Sequence, residues 1–463
     1  MIYTFFAFQR YCLGSKSDVS KVIAGMDWQE LYSFASKQAL LGLCFEGIER
    51  LGKEYPEELR LNPIGRELLM TWMGKAQQIR RQNMKVNAVA SKLFSMLRED
   101  GLRCCILKGQ GNALMYPNPY SRTPGDIDVW IDASRERIME YAQKKYELGD
   151  DIRLQHLETS LDGVPVELHF FPCSMNNPIY HARLQKWFKR NADLQCSHIV
   201  GLPDGAGDIA IPTTAFNVVY QLTHLYHHFF DEGIGMRQII DYFLVVNDFS
   251  KNVFLDYDFS NHPVPLSKEG STFSPSPSSS GSGDVTAPSR CSEPLRSKDG
   301  GASKPSPDCA GWDRRGVSGD TSSASCSSAS GSSITSVRSA FTTDSSASTA
   351  LVVVQRELKY LGLWKFAGAV MYVLKEVLGL AEDKMIVPMD EKRGRLLLAE
   401  IQDGGNFGRH FTKYAGFTHQ SMGKKYFLKI WRNMHFVRYY PAEALSEPIF
   451  RTWHFFWRVK NKK

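Results

Sequence analysis

The sequence lacks the marks of a secreted or membrane-spanning protein. Its nine cysteines are odd in number and form no C-x-x-C pair, so we expect reduced thiols in a cytoplasmic protein. The longest late apolar run, Leu363–Leu380, is interrupted by Lys365, Lys375 and Glu376, which argues against a membrane span. The N-terminal MIYTFFAFQRYCLG has neither the early basic residues nor the small-residue cleavage site of a secretory signal.

The sequence also has neither a large net charge nor visible internal repeats. The formal net charge of +7 is modest for 463 residues, and no internal repeat is visible. This charge is compatible with a polyanionic substrate but does not by itself indicate nucleic-acid binding. Hydrophobic residues make up 43% of the chain, enough for a packed core, and the length suggests two or three domains.

One stretch, LKGQGNALMYPNPYSRTPGDIDVWID, organises the rest of the chain. The apolar run Cys104–Leu107 predicts a buried strand. Gly109 and Gly111 break it, and their missing side chains let backbone N–H groups approach a ligand closely. A helical turn over Asn112–Tyr116 is expected next, and a second strand over Asp126–Ile131.

Two acids of the second predicted strand share one face. Asp126 and Asp128 are two residues apart, so their carboxylates project together and repel each other unless a cation lies between them. Oxygen ligands of this kind suit Mg²⁺. Lys108 and Arg122 flank the acids; Arg122 could hold a phosphate bidentately and Lys108 act as a point charge. The alternative is a solvated acidic pair on an edge strand, balanced by surface cations.

A third acid follows a hairpin. Asp162-Gly163 predicts a tight turn into the strand VPVELHF, where Glu167 and His169 share a face. If this strand pairs beside Ile127–Ile131, Glu167 completes a three-acid cluster; otherwise it is an exposed acid on a half-buried strand. His169 could orient Glu167, bind substrate or have a purely structural role.

Together these features resemble the polymerase β-type nucleotidyltransferase superfamily. More narrowly, L-K-G, R-x-P-G-D-I-D-V-W-I and V-E-L-H resemble a bacterial group of mostly uncharacterised predicted nucleotidyltransferases, over about residues 100–172. Gly109 matches the turn glycine of the superfamily's Gly-Ser signature. The sequence departs from the pattern at Gln110, where Ser is usual, and in a longer interval from Gly109 to Asp126.

The resemblance implies an enzyme that moves an NMP group from an NTP to an acceptor hydroxyl with Mg²⁺ (or Mn²⁺), releasing pyrophosphate. The acceptor could be a small molecule, a sugar, a protein side chain or an RNA end. The alternatives are a catalytically silent module that binds a nucleotide or partner, or an RNA-modifying enzyme. The implied catalytic and metal-binding residues are Asp126, Asp128 and Glu167, and the implied NTP contacts are Lys108, Gly109, Gly111, Arg122 and Arg237.

Arg237 is included among the implied NTP contacts because its motif, G-x-G-M-R-Q-I-I-D-Y, resembles the same bacterial group of predicted nucleotidyltransferases. It lies on a predicted helix Met236–Asn247 and alternatively pairs with Asp241 one turn later. On an earlier predicted helix, His224 and His228 have the spacing of two zinc ligands, but a histidine wall over the site or plain packing fits equally.

The predicted fold is α+β, with a small mixed β-sheet core and large helical flanking regions. We divide the chain into helical residues 1–100, the nucleotidyltransferase core 101–172, helical residues 173–262, an insertion 263–349 and helical residues 350–463. The insertion is rich in Ser, Gly, Pro and Thr and is expected to be disordered. The aromatic and basic tail from residue 404 could stack on nucleic acid, lie on a membrane surface or form amphipathic helices.

Overall fold

The computed structural model describes residues 2–146, 153–252, 343–405, 428 and 430–461. These residues belong to one compact unit, which is built from Met1–Phe259 and Phe341–Lys463. The predicted insertion therefore lies outside the described residues up to position 342, and its last part, 343–349, already belongs to a helix. Most of the aromatic tail between positions 404 and 430 is likewise outside them.

Helices flank a small sheet, as predicted. The N-terminal helices are α1 (Ile2–Cys12), α2 (Ser20–Ala24), α3 (Trp28–Lys37), α4 (Leu41–Glu54), α5 (Pro56–Leu61) and α6 (Arg66–Glu99). The central helices are α7 (Gly109–Ala113), α8 (Arg135–Lys145), α9 (Pro178–Ser197), α10 (Thr214–Asp231) and α11 (Met236–Asn252). The C-terminal helices are α12 (Thr343–Tyr360), α13 (Trp364–Leu378), α14 (Glu391–Gly404) and α15 (Pro441–Asn461).

Side-chain caps begin two of the helices that surround the sheet. The hydroxyl of Ser134 accepts a hydrogen bond from the backbone N–H of Arg137 and so begins α8. Thr213 begins α10 in the same way, accepting from the N–H of Phe216. The first helix of the core differs from the prediction, since it starts at Gly109 and ends at Ala113, before Tyr116.

The sheet has four strands: β1 (Cys104–Leu107), β2 (Ile127–Ile131), β3 (His156–Leu161) and β4 (Val164–His169). Their spatial order is β1-β2-β4-β3. The β2/β4 pair is parallel and the other two pairs are antiparallel, so the sheet is mixed. Asp128 therefore lies on an internal strand, with Asp126 just before the strand begins, which excludes the solvated edge strand considered above. A separate two-stranded ribbon joins β5 (Ile199–Gly201) to β6 (Asp208–Ala210).

Both faces of the sheet are covered. On one face, Ile127, Val129 and Val166 pack with the apolar side of α6 and with α8 in one buried cluster. On the other face Trp130 stacks against Phe216 of α10, within a second cluster that also takes in α9, α11 and α13. Because α10 packs on the same side as the acids, Asp128 is only 7% exposed.

The apolar helices are short relative to a bilayer or are broken by charge. Among the residues the structure describes, no helix has the length and the uninterrupted apolar run that crossing a membrane would take.

Candidate active site

The register of β2 and β4 brings the predicted acids together. Asp128 is the direct partner of Glu167 in the parallel pair, and in both strands the apolar neighbours face the other side of the sheet. The Nε2 atom of His169 lies 2.9 Å from Oδ1 of Asp128 and 3.1 Å from Oε2 of Glu167, so it joins the two carboxylates. The strand pairing required by the sequence argument is thus confirmed, and His169 orients Glu167.

Lys108 reaches the same carboxylate from the opposite side. Its Nζ lies 3.1 Å from Oδ2 of Asp128 and donates to Nε2 of His224 at 2.9 Å. The backbone of Lys108 has φ +52° and ψ −120°, an unfavourable conformation for a residue with a Cβ. The turn between β1 and α7 therefore holds a strained residue whose ammonium group lies beside the acids.

These contacts set the charges of the cluster. Burial alone would raise the pKa of Asp128, but the ammonium of Lys108 and the hydrogen bond from His169 outweigh it and hold that pKa well below its usual range. Burial opposes protonation of His169, yet its hydrogen bonds to the two carboxylates raise its pKa to about 9. Burial would raise the pKa of Glu167, but the hydrogen bond from His169 together with the charges of His169 and His156 lowers it.

Asp126 has the opposite shift. The residue as a whole is exposed, but desolvation of its carboxylate, followed by repulsion from Asp128 and Glu167, raises its pKa. Carboxylates close enough to repel in this way favour a cation between them, and oxygen donors are those that Mg²⁺ prefers. The oxygen donors of Asp126, Asp128 and Glu167 therefore have the chemistry that suits Mg²⁺, whereas the described ligand atoms that lie within 4.8 Å of one another are those of His156, Glu167 and His169.

A half-open cavity of about 70 Å³ lies over the aspartates. Six of the eight predicted site residues line it: Lys108, Gly109, Arg122, Asp126, Asp128 and Arg237. Glu167 and Gly111 do not line this cavity.

The family of the chain follows from a sequence comparison. A family model described as "Uncharacterised nucleotidyltransferase" matches residues 24–260, which is more than half of the 463 residues. The chain belongs to this nucleotidyltransferase family. The predicted recognition is thereby confirmed, and the matched region contains the whole four-stranded sheet and the cavity.

One solved structure is similar to part of this chain. The crystal structure of an antigenic nucleotidyltransferase-like protein from Paracoccidioides brasiliensis is similar to this chain at 16% identity and a TM-score of 0.25, over 35% of this chain and 75% of that one. A similarity of this extent carries no structural argument. No curated protein matches the chain.

The hydrogen-bond partner of Arg122 is a carboxylate of the protein and not the open position that a phosphate contact would leave. Its Nε and Nη2 atoms donate to the two carboxylate oxygens of Asp241 at 2.9 and 2.7 Å, and the pair is buried. The hydroxyl of Tyr116 also donates to Asp241, at 2.7 Å. Both donors that we assigned to a phosphate are thus directed at α11, although the Arg122 side chain still lines the cavity.

Arg237 lines the same cavity and donates from Nη1 to the carbonyl oxygen of Thr123 at 3.0 Å. Burial, and next the nearby charge of Arg122, lower its pKa. Arg122 and Arg237 are thus adjacent guanidinium groups of the cavity wall, and the charge of Arg122 is balanced by Asp241, which lines the same cavity.

The glycine turn has two different roles. Gly109 has φ +29° and lines the cavity, in keeping with its predicted place in the turn. Gly111 instead faces Ile211, whose Cγ2 would lie 3.1 Å from an added Cβ, so its missing side chain serves packing and not ligand approach. Gln110 is buried and donates to Asn87 of α6, so the amide that replaces the usual Ser is turned toward a helix.

Sequence reasoning missed several site residues. Asn112 and Gln221 exchange two amide hydrogen bonds, at 3.0 and 2.7 Å, across the cavity floor. Asn83 of α6 donates to the carbonyl oxygens of Arg122 and Tyr120 and so fixes the basic loop. Paired amides far apart in sequence leave no pattern that a single sequence reveals.

His224 lines the cavity, and His228 lies directly behind it on the same helix. Their Nε2 atoms lie 3.1 Å apart, and His224 lines the cavity. Burial and then the charge of Lys108 lower the pKa of His224 well below its ordinary value, so it accepts the hydrogen bond from Lys108 as a neutral ring. This arrangement favours the histidine wall over the zinc site among the alternatives left by the sequence.

Proposed function

We propose that this protein transfers an NMP group from an NTP to an acceptor hydroxyl and releases pyrophosphate. The observation that carries the proposal is the parallel register of β2 and β4, which puts Glu167 beside Asp128, a residue of the cavity that Lys108 and Arg237 also line. Family membership supports the reaction class, and the donor set supports the ion.

Asp126, Asp128 and Glu167 would hold Mg²⁺ or Mn²⁺. The ion supplies charge neutralisation at the α-phosphate and at the leaving pyrophosphate. Lys108 and Arg237 add positive charge where the phosphates of the NTP would lie, and Gly109 leaves space for them. Arg122 acts through Asp241, by keeping the loop from Asn118 to Gly125 against α11.

In the proposed transfer one bond forms at the α-phosphorus and one bond breaks there. The acceptor oxygen forms a bond to the α-phosphorus, and the bond from that phosphorus to the bridging oxygen of pyrophosphate breaks. The acceptor proton passes to Glu167 or to a water beside it. Glu167 is suited to this because the hydrogen bond from His169 keeps it ionised.

The proposal is tested with α-labelled NTPs, Mg²⁺ and a panel of hydroxyl acceptors that includes cell extract. We expect wild-type protein to label one class of acceptor, and we expect Asp126→Asn with Asp128→Asn to reduce turnover by roughly 10²–10³-fold or more. The exposed acid Asp208 supplies the matched control, Asp208→Asn, which should keep full turnover. Thermal melting of each variant shows whether it is folded.

Two results would count against the proposal. Retained turnover in the folded double variant would refute the assignment of the acids. Tight NTP binding by wild type without pyrophosphate release, across the whole panel, would favour the catalytically silent module, in which Lys108 and His169 permanently satisfy Asp128.

A further inference from the structure

We infer that His156, Glu167 and His169 form a second site for a divalent transition-metal ion such as Zn²⁺, which shares Glu167 with the proposed Mg²⁺ site. The three side chains offer one ligand atom each, and these atoms all lie within 4.8 Å of one another. They belong to the neighbouring strands β3 and β4, where His156 and His169 are direct partners.

The spacing of the ligand atoms is that of groups around one ion. Oε2 of Glu167 lies 3.3 Å from Nδ1 of His156 and 3.1 Å from Nε2 of His169. Ligands held at roughly 2.0–2.2 Å from a zinc ion lie about 3–4 Å from each other in a tetrahedral arrangement. The site therefore needs little rearrangement to close on an ion.

His156 lies beside two carboxylates, with its Nδ1 3.3 Å from Oε2 of Glu167 and its Nε2 3.8 Å from Oε1 of Glu158. It is only 9% exposed, yet among the described residues neither of its ring nitrogens has a hydrogen-bond partner. Buried ring nitrogens are otherwise paired with protein groups or ordered water. A metal ion between the rings and the carboxylate would satisfy the nitrogen that faces Glu167.

The donor chemistry selects the class of ion. Two imidazole nitrogens and one carboxylate suit Zn²⁺ or Co²⁺, whereas Mg²⁺ prefers oxygen donors alone. The second ring nitrogen of His169, Nδ1, accepts a hydrogen bond from the side-chain amide of Gln155 at 3.3 Å, so the amide of Gln155 would have to turn for Nδ1 to carry the proton of a metal-bound ring.

The site is approached from its own side. His156 and Gln155 line a second cavity of about 330 Å³, which extends to His227 and Arg451 and does not include the aspartates. This cavity leaves room for a water or a substrate group as a further ligand. Of the three ligand residues His156 lines this cavity, and Glu167 and His169 do not.

The inference rests on the geometry of β3 and β4 and not on the proposed reaction, although Glu167 is common to both. The test uses the full chain after removal of bound metal, titrated with Co²⁺ and followed by visible d–d absorption and calorimetry. We expect one Co²⁺ per chain to bind at this site. Its visible absorption should be intense, as it is for a Co²⁺ ion that has nitrogen ligands and a low coordination number.

Variants separate this site from the aspartates. His156→Ala should weaken Co²⁺ binding at least tenfold, whereas the exposed-histidine control His435→Ala should bind as wild type does. Unchanged binding by His156→Ala would overturn the inference, as would binding that is lost with Asp126→Asn and kept by His156→Ala. A protein that binds Co²⁺ in this pattern but transfers no nucleotide contradicts only the proposed function.

A second measurement needs no variant. X-ray absorption at the zinc edge of the wild-type protein, loaded with one Zn²⁺, should show two imidazole ligands by their multiple scattering. A first shell with one imidazole or none would contradict the site even if His156→Ala failed to fold.

Discussion

The guanidinium of Arg122 lies against the carboxylate of Asp241, 119 positions along the chain, with hydrogen bonds at both oxygens. Both side chains are less than 10% exposed. The contact fastens the basic loop before β2 to helix α11, and with it the wall of the cavity above the aspartates. A buried pair of this kind costs most when only one member is removed, because the remaining charge then has no partner.

We therefore expect Asp241→Ala to lower the free energy of unfolding by about 3–5 kcal/mol, as measured by urea denaturation. The matched control is the Arg395–Glu391 pair, whose side chains are 69% and 61% exposed. Glu391→Gln should cost less than about 1 kcal/mol, because solvent screens an exposed pair. Equal losses for the two variants would show that burial of the Arg122 charge does not matter.

A second prediction concerns two glycines of α4. Gly42 is packed against the turn Pro119–Ser121, and an added Cβ there would collide with the carbonyl oxygen of Ser121. We expect Gly42→Ala to destabilise the protein by about 1–3 kcal/mol, since the backbone would have to move. Gly52 lies in the same helix with nothing within 4 Å of such a Cβ.

Gly52→Ala is the control, and it should stabilise the protein by up to about 1 kcal/mol, because alanine has the higher helix propensity. Thermal unfolding of both variants gives the comparison. A Gly42→Ala protein at least as stable as wild type would mean that α4 does not hold the turn before Arg122.

Local signals in the sequence were enough to predict much of this fold. The Asp162-Gly163 turn has positive φ at both residues, as the hairpin prediction required. Alternation predicted a shared face for Asp126 and Asp128 and another for Glu167 and His169. The pairing of β2 with β4, on which the acid cluster depended, was a condition that only the structure could supply. The partner of Arg122 and the role of His156 could not be predicted, because each depends on side chains that meet only after α11 and β3 have packed.

A third prediction follows from the backbone of Lys108. At φ +52° and ψ −120° a Cβ is strained, whereas glycine adopts such angles readily. Both Lys108→Gly and Lys108→Ala remove the ammonium group, so they differ only in backbone preference. We expect the glycine variant to be more stable than the alanine variant by about 1 kcal/mol or more in urea denaturation.

At Lys75, within a helix, the order of stability of the glycine and alanine variants should be the opposite. It is exposed within α6, so Lys75→Ala should be more stable than Lys75→Gly by about 1 kcal/mol. If alanine were also the better residue at position 108, the turn would not be strained there. Both Lys108 variants should also bind NTP more weakly in calorimetry, since Asp128 would lose one of its two cationic neighbours.

The fourth prediction is a pH dependence of stability that arises from Glu443, in the first turn of α15. Its carboxyl is 1% exposed and accepts hydrogen bonds from the backbone N–H groups of Asn176 and Asn177 at 2.6 and 3.2 Å. Burial outweighs these bonds and raises its pKa from 4.5 to about 7. The folded protein therefore holds this proton at a pH where the unfolded chain has lost it.

A raised pKa in the folded state contributes stability that is complete below the unfolded value and disappears as the pH rises through the folded value. From pH 4.5 to pH 8 the contribution of Glu443 should fall by about 3 kcal/mol. Glu443→Gln cannot ionise. Its free energy of unfolding relative to wild type should therefore rise by a similar amount over this interval, as measured by urea denaturation at each pH.

Glu382→Gln tests whether this slope is specific to Glu443. A hydrogen bond and ion pair with Lys375 lower the pKa of Glu382, so its contribution is already complete above the ordinary carboxyl pKa. The difference between Glu382→Gln and wild type should then stay level from pH 5 to pH 8. A level difference for Glu443→Gln as well would show that the carboxyl of Glu443 is ionised in the folded protein across this range, and that the N–H groups of Asn176 and Asn177 outweigh its burial.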